Sequence, residues 1–122
     1  MTTNPTIFAS ALSCGDRYNG QLADLAARGA DVDTAVLAVT TGDVRAACDV
    51  LAPVHAQTAG LDGCVSIEVD PRLSRDTTAT AEMARRLWTT VNRDDLYIKI
   101  PAMREGLAAI TEVIAARASA ST

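Results

Sequence analysis

Hydrophobic positions along this chain change period several times, and each change marks an element. Val65, Ile67 and Val69 alternate with Ser66, Glu68 and Asp70, the two-residue period of a strand with unlike faces. Leu96, Ile98 and Ile100 alternate in the same way with Tyr97 and Lys99. Between these strands, Thr80, Met83, Ala84, Leu87, Trp88 and Val91 repeat at the spacing of an amphipathic helix. Upstream, Tyr18, Leu22 and Leu25 predict a helix that Gly29 stops. Val44, Ala47, Cys48 and Leu51 predict another, with Thr41 as its N-cap, running toward Ala59 and kinked or broken at Pro53. Pro5 suits a first helical position and disfavours helix at Asn4 before it. Leu107, Ile110 and Ile114 mark a last helix. The Ala- and Ser-rich tail from 115 is expected to fray and to be disordered over 117–122.

Helical and strand patterns therefore alternate, with loops at Gly60–Gly63 and Pro71–Ser74. That order predicts βαβ units, a parallel sheet and the α/β class. Neither an internal repeat nor a linker interrupts it, so residues 1–122 read as one domain. Two strands, or three with a stub at Thr2-Thr3, make an unfinished parallel sheet, because such sheets are normally extended and buried on both faces.

Composition narrows the function. The net charge is −4, without a basic run, and aromatic residues are 3% of the chain. Both facts argue against nucleic acid or an anionic membrane as partner. No apolar stretch reaches the length of a membrane span. Cys14, Cys48 and Cys64 are odd in number and widely spaced, and His55 is the only histidine. Reduced thiols in a cytoplasmic protein fit that pattern better than a disulfide frame or a zinc site. No metal site is expected.

Of the eleven basic residues, Lys99 is the only lysine, and it lies within an apolar run, Leu96 to Pro101. If the apolar faces of the strands pack beneath helices, Glu68 and Lys99 share the opposite face. In a closed barrel that face lines the interior, where catalytic groups sit at the C-terminal ends of strands. An amine must be neutral to attack a carbonyl, and at a pKa of roughly 10.4 only about one in two thousand is neutral at pH 7. Desolvation can lower that pKa to about 7–8. Schiff-base formation then supplies an electron sink for carbon–carbon bond chemistry. Glu68 could relay protons through water, and Asn4 could hold substrate hydroxyls. The same residues also fit plainer roles: Lys99 as an edge residue, Glu68 as its ion-pair partner, and Asn4-Pro5 as a turn dipeptide.

Three motifs together change this balance. Thr2-Thr3-Asn4-Pro5-Thr6-Ile7-Phe8, Val65 to Asp70 followed by Pro71-Arg72-Leu73, and Ile98-Lys99-Ile100-Pro101-Ala102 closely resemble the transaldolase family, in its order and at its spacing. Thr40-Thr41 through Val54 and Gly106-Leu107 with Ala109-Ile110 are similar too, especially to actinobacterial members. The resemblance covers the chain to about Ala116. It implies a (β/α)8 TIM barrel that moves a dihydroxyacetone unit between ketose and aldose phosphates in the pentose phosphate pathway. It implies no metal or organic cofactor. Lys99 matches the Schiff-base lysine of the fourth strand. Glu68 matches the third-strand glutamate that works with a catalytic water, and Asn4 the substrate-contacting asparagine after the second strand.

Departures from the family pattern narrow these expectations. By the resemblance this is a partial barrel of about strands 2 to 4, truncated at both ends. The family's first-strand aspartate, fifth-strand threonine and phosphate-holding serine and arginine have no counterpart here. Met103 stands where threonine is usual, and Asp94-Asp95 where Pro-Asn is usual. Three strands cannot close a barrel. The chain is therefore expected to be inactive alone, to join a complementary barrel fragment as half of a split enzyme, or to persist as a self-associating, non-catalytic remnant. A dihydroxyacetone-type class I aldolase is the related enzymatic alternative.

Overall fold

The computed structural model describes residues 1–3, 5–14 and 16–120, without the side chains of Pro5 and of 117–120. The elements run α1 (Pro5–Ser13), a 3-10 turn (Asp16–Tyr18), α2 (Asn19–Ala27), α3 (Val32–Gln57), β1 (Val65–Glu68), a second 3-10 turn (Pro71–Leu73), α4 (Thr77–Val91), β2 (Leu96–Lys99) and α5 (Arg104–Ala120). Of the tail expected to be disordered, residues 121 and 122 and the side chains of 117–120 lie outside the described part.

The predicted αβαβα order is present, and the largest difference from expectation lies in α3. That helix begins at Asp31, whose Oδ1 accepts from the Thr34 amide at 2.7 Å. Thr41, expected to cap it, is instead buried inside the helix. Its hydroxyl donates to the Leu37 carbonyl at 2.7 Å, so no unpaired polar group remains to end the helix there. Pro53 does not end it either. Both Pro53 and Asp49, whose carbonyl loses its helical partner, are exposed, so water can serve that carbonyl. The turn into β1 then depends on Gly63, at φ +73°, where a Cβ would collide with the backbone of His55.

β1 and β2 pair in parallel, with Val65 opposite Leu96 and Glu68 opposite Lys99. On the other side of β1, Thr2 bridges Ser66 in parallel. The Ser66 amide donates to Met1 O at 2.9 Å and the Thr3 amide to Ser66 O at 3.1 Å. The three segments thus lie side by side, with β1 in the middle. Helix α4 starts at an Asp76 cap, whose side chain accepts from the Ala79 amide at 2.9 Å, and ends at Asn92 in the left-handed region.

Val44 and Cys48 of α3, Val65, Ile67 and Val69 of the central segment, Ala84, Leu87 and Val91 of α4, and Leu96 form one buried cluster. This face is dry because alternate strand residues meet two apolar helix stripes. Polar ties close the rim. Arg93 Nε donates to Asp49 Oδ1 at 2.6 Å, Arg45 to the carbonyls of Thr90 and Val91, and Arg85 to Glu112 Oε1 at 2.5 Å. Arg85 of α4 is thereby engaged with α5. Cys48 is buried and Cys64 partly so, whereas Cys14 is exposed. No described helix is long and apolar enough to cross a membrane.

Candidate active site

The alternation that buries Val65, Ile67 and Leu96 turns Ser66, Glu68, Tyr97 and Lys99 to the opposite face. No described helix covers that face in the way that α3 and α4 cover the first. Because Glu68 and Lys99 are paired in register, their side chains stand next to each other. Lys99 Nζ lies 3.4 Å from Glu68 Oε2. The amine side chain is 54% exposed and the carboxylate 17%, so the pair is half in water. An ion pair of that exposure adds about 0–1 kcal/mol to stability. Its chemical interest lies in geometry: an amine and a carboxylate within reach of each other at the C-terminal ends of two parallel strands.

Asn4, the third residue singled out from sequence, lies outside the described residues. Its neighbour Thr3 is buried, and its hydroxyl donates to the Ser66 carbonyl at 2.8 Å. Residues 1–3 are thereby attached to the strand that carries Glu68.

Glu68 also borders a cavity of about 890 Å³ between α1, the start of α3 and the exit of β1. Phe8, Leu12 and Leu37 supply apolar wall, while Asp33, Asp70 and Arg72 supply a charged rim. The rim was not apparent from the sequence, where Asp70 closes the strand pattern and Pro71–Ser74 reads as a loop. The signal for it was local: an aspartate two residues before an arginine at the end of a strand. Among the described residues, no group of three or more His, Cys, Asp or Glu side chains is arranged to hold a metal ion.

Elsewhere several titratable groups are displaced by their surroundings, Cys48 and Tyr18 among them. Burial, with the Asp95 carboxyl beside it, pushes the Cys48 thiol up to about 11. Asp95 itself is 4% exposed, and its Oδ2 is buried with no hydrogen-bond partner among the described residues. The Tyr18 phenol is raised by its hydrogen bond to Asp43. None of these groups lies on the face of Lys99 and Glu68.

Comparison with known proteins agrees with the strand-end motifs. The profile of the family described as Transaldolase/Fructose-6-phosphate aldolase matches residues 1–119. The protein named Transaldolase from Mycobacterium tuberculosis (strain ATCC 25618 / H37Rv) is 56% identical over 115 residues, covering 94% of this chain and 31% of that protein. The Transaldolase of Thermobifida fusca (strain YX) is 58% identical, and that of Parafrankia sp. (strain EAN1pec) 54% identical, over the same shares. The chain thus spans about a third of the length of these curated relatives, and across that third it belongs to the transaldolase/fructose-6-phosphate aldolase family.

Proposed function

We propose that this chain carries the Schiff-base half of a transaldolase site, with Lys99 as the reactive amine, Glu68 as the proton relay and Asn4 as a substrate contact. In this reading neutral Lys99 Nζ adds to the C2 carbonyl of a ketose phosphate. Water leaves as Glu68 passes protons, and an iminium forms. A base takes the proton of the C4 hydroxyl as the C3–C4 bond breaks, its electron pair enters the iminium, and an aldose phosphate departs. The remaining enamine adds to a second aldose phosphate, and hydrolysis returns the free lysine. The process moves a dihydroxyacetone unit without metal or organic cofactor, as in the cytoplasmic pentose phosphate pathway. What supports it most is the 3.4 Å approach of Lys99 Nζ to Glu68 Oε2 on the uncovered face of a parallel sheet.

The catalytic space belongs to a (β/α)8 barrel, whose closure needs eight strands. The three segments described here leave the pair open to water by themselves, so turnover in this reading requires further strands to enclose it. A complementary barrel fragment or a second copy of the sheet would supply such enclosure. Intact-mass spectrometry after borohydride reduction, with and without fructose 6-phosphate, tests the amine. A reduced adduct on Lys99 is expected, and its absence from folded, soluble protein refutes the proposal.

The family description also names a second reading, a fructose-6-phosphate aldolase. The two part at the enamine. A transaldolase holds it until an aldose phosphate acceptor arrives, whereas an aldolase protonates it and releases dihydroxyacetone. Free dihydroxyacetone appearing without acceptor, in a chain assembled with complementary strands, selects the aldolase.

A further inference from the structure

Two residues beyond Glu68 the chain leaves the sheet, and one guanidinium governs that exit. Arg72 Nε lies 3.0 and 2.8 Å from the two carboxylate oxygens of Asp70, and Nη2 lies 2.5 Å from Asp70 Oδ2. The same Nη2 lies 3.0 Å from Oδ1 of Asp33, in the first turn of α3. The Arg72 amide donates to Asp70 Oδ1 at 2.9 Å, so the carboxylate is gripped from the backbone as well. These hydrogen bonds from the Arg72 side chain hold the Asp70 carboxyl below the usual carboxylate range.

A planar fork can hold one carboxylate with two parallel bonds and still reach a second; an ammonium group cannot. The Asp33 arm alone is exposed and contributes little energy. Its value is geometric, because it joins the end of β1 to a helix 39 residues earlier in the chain. Only buried Val69 separates Glu68 from Asp70, and the Val69 amide makes a cross-strand bond to Lys99 O at 3.0 Å. A shift of the exit loop therefore reaches the alignment of Glu68 with Lys99 through a single residue.

We propose that Arg72 is a positioning residue: its fork to Asp70 and Asp33 fixes the end of β1 and so holds Glu68 in register beside Lys99. The functional weight of this register rests on the Schiff-base reading given above, but the register itself is measured separately. The experiment is residue-resolved amide hydrogen exchange on the full chain and on its Arg72→Ala, Arg72→Lys and Arg85→Ala variants, followed by borohydride trapping with fructose 6-phosphate.

In Arg72→Ala, protection at Val69 falls about tenfold or more while the buried helical amide of Leu87 stays within about twofold. Arg72→Lys fails to restore Val69, and Arg85→Ala, which breaks another surface pair, leaves Val69 unchanged. Trapping at Lys99 falls in the order of lost protection. Unchanged protection at Val69, full rescue by lysine, or an equal loss at Leu87 overturns the positioning role. So does unaltered trapping in Arg72→Ala when the wild type traps. If wild-type Lys99 traps nothing, the Schiff-base reading fails by itself, and the exchange data alone decide whether Arg72 sets the strand end.

Discussion

The two faces of this small sheet are made by the same two strands and behave as opposites. One carries Val65, Ile67, Val69 and Leu96, each at most 3% exposed beneath α3 and α4. The other carries Tyr97, 55% exposed, and the Lys99–Glu68 pair. A strand alternates sides at every residue, so neither face can be changed in register without changing the other. The covered face supplies stability and thereby fixes which side chains the open face presents. The lesson is one of division of labour. Substitutions on the covered face should alter folding, and those on the open face should alter chemistry.

The largest effect is expected from Leu87, which with Leu96 is the largest fully buried side chain of the covered face among the described residues. Leu87→Ala removes apolar contact and leaves a void, costing about 2–5 kcal/mol. Urea titration followed by circular dichroism reads this directly. A loss below about 1 kcal/mol would mean that the helix layer repacks freely and that the contrast between the faces is weak.

A smaller change of opposite sign is expected at the base of the covered face. Asp95 places a carboxyl oxygen where no donor meets it, next to the Cys48 thiol. Asp95→Asn keeps an oxygen for that thiol and removes the charge-bearing group, a gain of about 1 kcal/mol in the same titration. A loss instead would show that an unassigned donor serves Oδ2 in solution.

Cys48 sharpens the contrast through pH. Its folded-state pKa is raised, from 9.0 to about 11, because burial disfavours the thiolate. The folded state therefore keeps its proton where the unfolded chain has lost it. The resulting stabilisation is full below pH 9 and declines as pH rises through about 11. Tyr18, also raised, steepens the same alkaline decline. At pH 8, iodoacetamide should label exposed Cys14 readily, while Cys48 should label only as the chain unfolds in urea. Equal labelling of Cys14 and Cys48 in the folded protein would mean that the covered face opens to solvent.

Much of this organisation was legible in the sequence. The alternation at 65–70 and 96–100 marked both strands and their polar faces, and parallel pairing put Glu68 opposite Lys99 as the pattern required. What stayed hidden depends on contacts remote in the chain. Thr41 has the chemistry of an N-cap, but a mid-helix threonine can satisfy its hydroxyl on the Leu37 carbonyl, and the true cap, Asp31, lay ten residues earlier. Asp95 looked like a loop residue because burial arises only once α3 is packed against the start of β2. The Arg72 fork reaches Asp33 across 39 residues, a distance that no periodicity encodes. Gly106 belongs with these. It resembles a family position in sequence, while its physical reason, that a Cβ there would run into the Pro101 carbonyl, appears only in three dimensions.

The smallest expected change in stability is also the most informative. Lys99→Met keeps an unbranched apolar stem on the strand and removes only the ammonium group, half exposed and paired with Glu68. A surface pair of this kind contributes about 0–1 kcal/mol, so the urea midpoint should barely move. The borohydride adduct with fructose 6-phosphate should nevertheless vanish completely, since Lys99 is the chain's only lysine. An intact midpoint with the adduct gone separates the chemistry of the open face from the folding of the covered one. A fall as large as that of Leu87→Ala would instead make the pair part of the scaffold. An adduct that survives the substitution would implicate the terminal amine of Met1, which lies 2.6 Å from the Cys64 carbonyl at the opposite end of the sheet.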